Sequence, residues 1–233
     1  ELVQLLANLR DEEGDVLIPG FYDDVLEPTA EELAVLDHLP AADEATMEEF
    51  GLERLAGAPG KSYHEKLIFE PTFNISTLRS GYRGEGRQNV LPHLAEANLD
   101  IRLVPDQTPE RVMAKLSDYV ERLGFRDVKL EAHGGFLPAR TPVTHPVARA
   151  AIDIVEKVTG EEPAVLPGIG ASNPSYLFTE VLGLPMVNMA YANPDEANHA
   201  PNENLDLESF RRGIQTSAAI FAHDFRPELD QSN

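Results

Sequence analysis

Between Glu96 and Val104 the apolar residues Ala97, Leu99, Ile101 and Leu103 alternate with Glu96, Asn98, Asp100 and Arg102. A period of two is that of a strand with one buried face. Thr108 and Pro109 follow, an N-cap and a first helical residue. Val112, Leu116, Tyr119, Val120 and Leu123 then recur at helical spacing until Gly124. A strand and a helix that each carry one apolar face must bury those faces, so this pair anchors a layered domain.

The neighbouring segments extend the pattern. ELVQLLANLR sets Leu2, Leu5, Leu6 and Leu9 on one helical face, and DVKLEAH alternates again as a strand. LIFEPTFNIS is rich in strand formers but holds Pro71, which predicts an edge strand or one beginning after the proline. GYRGEGRQNVLP reads as a glycine-rich loop. Helix, strand, strand, helix, strand is a split β-α-β, ferredoxin-like arrangement lacking its first strand, which would lie just before Glu1. Between the first helix and this layer, an insertion at about 15–65 carries short helices to about Phe50; Thr29 and Glu32 in it have capping-box spacing.

After Gly134-Gly135 the pattern is α/β. A helix is expected from Pro146 to about Thr159, a short strand near Val165, a helix opening at Asn173-Pro174 and a strand in PMVNMAY. A last helix is expected near Asp206, with Phe210, Ile214 and Phe221 on one face. Residues 136–233 hold too few strands to close such a layer, so a larger sheet is expected. The domain division expected is 1–135 and 136–233. The chain opens at Glu1 and not at Met, and a fragment of a longer protein is the expectation.

A chain of 233 residues with 42% hydrophobic residues can bury a core. Its formal charge of -21, from 19 Lys+Arg against 40 Asp+Glu, repels phosphate backbones and anionic lipid, so nucleic acid and membrane are not expected partners. With no Cys, any metal must be held by His and carboxylates. Neither a membrane-length apolar run nor a signal-peptide pattern is visible, and a cytoplasmic location is expected.

The seven histidines form no H-x-x-x-H and no H-x-D pair, so none is a self-sufficient metal motif. His38, His64 and His223 stand among polar neighbours and read as surface residues. His199 differs, because it follows a predicted buried strand and the loop ANPDEAN, where open α/β sheets bind ligands. From position alone it is either a ligand or a loop histidine capping the next helix. Arg102, on the polar face of its strand, is placed either to clamp a carboxylate or to pair with Glu96 or Asp100. Asn173 before Pro174 is a good N-cap.

Two long motifs carry a resemblance that runs, in order, over essentially the whole chain. NHAPNENLDLESFRRGI resembles the carboxyl-terminal metal motif of the zinc-dependent amidohydrolase family of acetylornithine deacetylase, carboxypeptidase G and carnosinase. GYRGEGRQNVLPHLAEANLDIRLVPDQTPE resembles the centre of its lid, or dimerisation, domain. The resemblance implies an α/β protein: a ferredoxin-like lid domain followed by the carboxyl-terminal part of a phosphorylase/hydrolase-like catalytic domain.

It also implies a two-zinc hydrolase, cobalt or manganese being alternatives, that cleaves an amide bond in a small peptide or N-acyl amino acid and assembles as a homodimer through the lid. His199 takes the place of a metal ligand, Asn89 and Arg102 those of residues that contact the substrate carboxylate or the oxyanion. Ser172, in the turn Gly170-Ala171-Ser172-Asn173-Pro174, takes that of a pocket residue. The remaining ligands and the general-base Glu would precede Glu1, so no catalytic base is expected in this chain, which would be inactive alone. VLIPGFYDDVLEPTAEE resembles the dipeptidase branch, yet Ile169 stands where that branch has a Glu. A non-catalytic dimerisation or binding module derived from the family is the alternative.

Overall fold

The computed structural model describes residues 1–39, 41, 43–55, 60–193 and 195–230. In chain order the elements are helices α1 (Leu2–Leu6), α2 (Ala30–Leu36), α3 (Asp43–Phe50) and α4 (Tyr63–Phe69), then strands β1 (Thr72–Ser80) and β2 (Ala95–Arg102). Helices α5 (Pro109–Arg122), α6 (Pro146–Thr159), α7 (Leu207–Ala222) and α8 (Arg226–Asp230) follow, with a π-helical turn at Leu177–Val181 between α6 and α7. They fall into two compact units. One comprises Glu1–Pro28, Pro40–Ala139 and Gly168–Tyr176, the other Thr29–Leu39, Arg140–Pro167 and Leu177–Asn233.

The first unit is built on the strand and helix that the alternation marks. β1 and β2 pair antiparallel, Thr72 opposite Arg102 and Ser80 opposite Ala95, with a register shift between Ile75 and Thr77. Ser76, inside that shift, donates its hydroxyl to the Asn98 carbonyl at 3.1 Å. Ala97, Leu99 and Ile101 of β2 pack on a core of Leu5, Leu6, Leu9, Val16, Ile18, Phe21, Phe73, Val112, Leu116 and Val120. Each such side chain stabilises the fold by roughly 1.5–3 kcal/mol. Thr108 caps α5 as expected, accepting the Arg111 amide at 3.2 Å. Past β2, the buried Gln107 closes the turn, donating to the Phe21 carbonyl at 2.8 Å and accepting the Val104 amide at 3.2 Å. The loop before α2 is tied to α5 where Lys115 and Arg111 both reach Asp24.

The strand in LIFEPTFNIS begins after Pro71, one of the two expected outcomes; the LIF part is the end of α4, started by a capping box of Ser62 and Glu65 that outweighs the strand propensity of its residues. Other expected elements differ. DVKLEAH forms no strand among the described residues, although Val128 and Leu130 still pack on the core. A strand exists only against a partner, and β2's one described neighbour is β1. The same reason accounts for the absence of strands near Val165 and in PMVNMAY.

In the second unit α6 spans the expected Pro146–Thr159 and ends at Gly160, which takes the left-handed φ of 76° that a helix C-terminus favours in glycine. It packs against α7 and α8. α2 carries the expected capping box: Glu32 accepts the Thr29 amide through Oε2 and, through Oε1, a 2.8 Å hydrogen bond from Arg140. Both side chains are nearly buried, at 13% and 9% exposure. α7 starts at Asp206 as expected, but Phe210, Ile214 and Phe221 are exposed, and the buried residues of the helix are Gly213 and Thr216. Gly213 lies against the Tyr191 ring, where an added Cβ would approach to 3.1 Å. The apolar spacing marks a face that the described residues do not cover.

Candidate functional site

Arg102 is the last residue of β2, and in the same unit the turn Gly168–Ser172 comes to its guanidinium. Nη1 donates to Ser172 Oγ at 3.2 Å and to the Gly170 carbonyl at 3.4 Å, while Nε stands 3.5 Å from Asp100 Oδ2. The expected alternative of a pairing with Asp100 thus has a physical counterpart. The Asp100 contact is long and lies between side chains 40% and 53% exposed, where an ion pair contributes little. None of these contacts uses Nη2, and a guanidinium is suited to a planar carboxylate.

The turn lies against α4. A Cβ on Gly170 would fall 2.3 Å from Leu67 Cδ1, and one on Gly168 would fall 3.1 Å from Ile68 Cγ2. Bare glycine lets this backbone approach α4 and bring Ser172 to Arg102. Asn173 Oδ1 accepts the Ser175 amide at 2.9 Å, the turn-opening role expected of it, though the segment that follows is π-helical and not α.

Asn89 is exposed in the loop between β1 and β2 and has no hydrogen bond to Arg102 or Ser172. Its neighbours Gln88 and Val90, with Arg79, Tyr82, Arg83 and His93, line a pocket of about 320 Å³. That pocket combines apolar walls with positive charge in an otherwise acidic chain.

His199 lies in the second unit, in the loop between Asn193 and Asp206. Its ring is exposed, and its backbone is left-handed at φ 60°, with Ala197 at 54° and Asn202 at 68°. Such residues are strained by roughly 1–3 kcal/mol each and persist only where surrounding structure holds them. Here the holding group is Asn193, 6% exposed. Its Nδ2 donates to Asp195 Oδ1 at 2.7 Å and Asn204 Oδ1 at 3.0 Å, and its Oδ1 accepts the Asp206 amide at 3.0 Å. Asn204 Nδ2 returns to the carbonyls of Asp195 at 3.0 Å and Asn202 at 3.2 Å. The Asn204 amide donates to the Glu196 carbonyl at 2.9 Å. Asp206 then caps α7, accepting the Ser209 amide at 2.7 Å. That bond foremost holds its carboxyl below the usual range.

Asn193 and Asn204 were not singled out by motif. The available signal was asparagine at both ends of a loop, a residue that tolerates left-handed backbone and ties turns together. Pro194 lies outside the described residues.

His199 fits one position of a metal site, offering an exposed imidazole. A catalytic zinc takes three protein ligands, and no group of three His, Cys, Asp or Glu gathers among the described residues. The fit therefore extends to one ligand. No helix among the described residues is long and apolar enough to cross a membrane.

Comparison with known proteins gives a consistent result. An M20 family metallo-carboxypeptidase from Sulfolobus solfataricus superposes with a TM-score of 0.85 and 34% identity, over 94% of this chain and 50% of that one. Human carnosine dipeptidase 1 shares the fold, with a TM-score of 0.76 and 23% identity over 94% of this chain and 47% of that one. Among curated sequences, Beta-Ala-His dipeptidase of Rattus norvegicus is 23% identical over 95% of this chain and 46% of its own length. The Cys-Gly metallodipeptidase dug1 of Schizosaccharomyces pombe is 24% identical over 92% and 46%. The chain spans about half the length of the curated relatives it matches. Residues 1–128 match the peptidase dimerisation domain, M20_dimer. By that match, which covers more than half of its length, and by its likeness to M20 peptidases beyond it, the chain belongs to the M20 peptidase dimerisation-domain family.

Proposed function

We propose that the protein is a metal-dependent amide hydrolase acting on a small peptide or N-acyl amino acid with a free carboxylate, and that Arg102 reads that carboxylate. The observation that carries this is the guanidinium of Arg102, steadied by Ser172 and Gly170 through Nη1, with Nη2 outside those contacts. A deacylase or carboxypeptidase substrate presents a carboxylate one residue from the scissile amide. A guanidinium can hold it in two hydrogen bonds and so orient that amide. Asn89, beside a pocket that holds Arg79 and Arg83, donates to the carboxylate or to the oxyanion. Ile169 gives no charge with which to bind a free amino terminus, which favours carboxypeptidase or deacylase selectivity over dipeptidase selectivity.

His199 supplies one imidazole to a two-metal centre, zinc being the ion the chemistry favours and cobalt or manganese the substitutes. When bound, such ions lower the pKa of a water and polarise the amide carbonyl. Residues 1–135 serve as lid and dimerisation domain, and residues 136–233 complete the catalytic layer. The outer edge of β1, unpaired among the described residues, suits a homodimer that pairs this strand with its mate across a two-fold axis. In this reading the 233-residue chain alone is inactive and the location is cytoplasmic.

The test is hydrolysis by the full-length gene product of N-acetyl amino acids and dipeptides, with and without a chelator. Chelator-sensitive release of a free amino acid is expected. Absence of hydrolysis across both classes, with zinc, cobalt and manganese each supplied, overturns the reading and leaves the non-catalytic dimerisation module.

A further inference from the structure

We propose that Asn193 is a positioning residue for His199, acting through Asn204 as a clasp that closes the loop and holds the backbone from which the imidazole is presented. The inference rests on the reading of His199 as a metal ligand given above. Three of the four described non-glycine residues with left-handed φ occur between Asn193 and Asp206, at Ala197, His199 and Asn202. A loop left to itself would relax out of that conformation. What prevents it is a side chain buried at the foot of the loop with all three of its hydrogen bonds directed at the loop's two ends. Its donors go to Asp195 on the outgoing side and Asn204 on the returning side, and its acceptor takes the first amide of the stretch that caps α7. Asn204 adds the cross-ties to Asp195 and Asn202. Among the described residues the imidazole has no hydrogen bond, so what the loop fixes is the direction of the His199 Cα–Cβ bond from which the ring is presented. A bond to the second ring nitrogen, which aims many metal-binding histidines, acts on the ring; the clasp acts earlier, on the backbone that carries it.

The amide of Asn193 has two separable functions, and one substitution divides them. Asn193→Asp keeps an oxygen for the Asp206 amide, and with it the entry to α7, but removes both donors and sets a carboxylate beside Asp195. In the full-length gene product, Asn193→Asp and Asn204→Ala are compared with the unchanged protein and with His199→Ala. Three quantities are read: hydrogen exchange of the Ala200 and Asn204 amides, zinc retention against a chelator, and melting temperature. Asn204 is exposed, so its variant reports even where Asn193→Asp fails to fold. Expected are faster exchange at both amides and a 10–100-fold loss of zinc affinity, the range for groups that orient a ligand, at nearly unchanged melting temperature for Asn204→Ala. If His199→Ala weakens zinc binding and the clasp variants do not, the clasp is overturned while the ligand assignment stands. If His199→Ala leaves zinc binding intact, the ligand assignment itself fails.

Discussion

Arg102 Nη1 donates to Ser172 Oγ at 3.2 Å, joining the end of a strand to a turn 70 residues later in the chain. This bond gives the guanidinium a fixed direction in an exposed setting, where a long side chain would otherwise sample many rotamers. Removing the hydroxyl in Ser172→Ala is expected to raise KM for the carboxylate substrate about 5-fold, roughly the 1 kcal/mol of one such hydrogen bond. kcat should change little. Steady-state kinetics on the two proteins checks this.

Gly170 and Leu67 form a second testable pair. A methyl group on Gly170 meets Leu67 Cδ1 at 2.3 Å and Cγ at 3.0 Å, so Gly170→Ala must turn the Leu67 side chain aside and should cost about 1 kcal/mol. Leu67 is 39% exposed, and shortening it to Ala opens the space. Urea denaturation of both single variants and the double variant should show strong non-additivity, with Leu67→Ala recovering most of the loss.

The left-handed loop makes an unusual expectation for Ala197, whose φ is 54°. Gly there relieves roughly 1–2 kcal/mol of left-handed strain against roughly 0.5–1 kcal/mol of added chain entropy. Ala197→Gly should therefore stabilise the protein by about 0.5 kcal/mol, whereas Ala197→Val should destabilise it. Calorimetric melting of the two variants measures the difference.

Acid should loosen the first unit through Asp24. The hydrogen bond from Lys115, with Arg111 assisting, holds this carboxyl below its ordinary 3.8. Because the folded value lies below the unfolded one, the ionised contacts add stability above pH 3.8 and lose it as pH falls through the lowered value. Melting temperature measured from pH 5 to 2 should drop in that window. Asp24→Asn should flatten this component of the profile.

Arg140 and Glu32 are both nearly buried and 2.8 Å apart. Replacing Arg140 with Met leaves the Glu32 carboxylate with the Thr29 amide but no cation, and a loss of about 1–3 kcal/mol is expected in chemical denaturation.

What could be read from sequence is what local chemistry decides. The alternation through Ala97, Leu99 and Ile101, the Thr108-Pro109 start of α5 and the Pro146–Thr159 span of α6 each rest on rules within a few residues of one another. α4 shows where such rules compete: Leu67, Ile68 and Phe69 favour a strand, and the Ser62–Glu65 capping box turns them into a helix. DVKLEAH and PMVNMAY show where they end, because strand formation needs a neighbour that no local pattern supplies. The meeting of Arg102 with Ser172, the close approach of Gly170 to Leu67 and the Asn193 clasp lie beyond local patterning for the same reason. Each joins segments whose proximity only the folded chain creates, whereas Arg102, Ser172, Asn89 and His199 were identified singly by motif.

The most direct test of the central claim compares kcat/KM of the full-length gene product and its Arg102→Met variant on one substrate as free acid and as carboxamide. If Arg102 reads the carboxylate, the variant loses about 30-fold on the acid, on the order of 2 kcal/mol for a charge-assisted hydrogen bond, and less than about 3-fold on the amide. An equal loss on both substrates, or none on either, would contradict it.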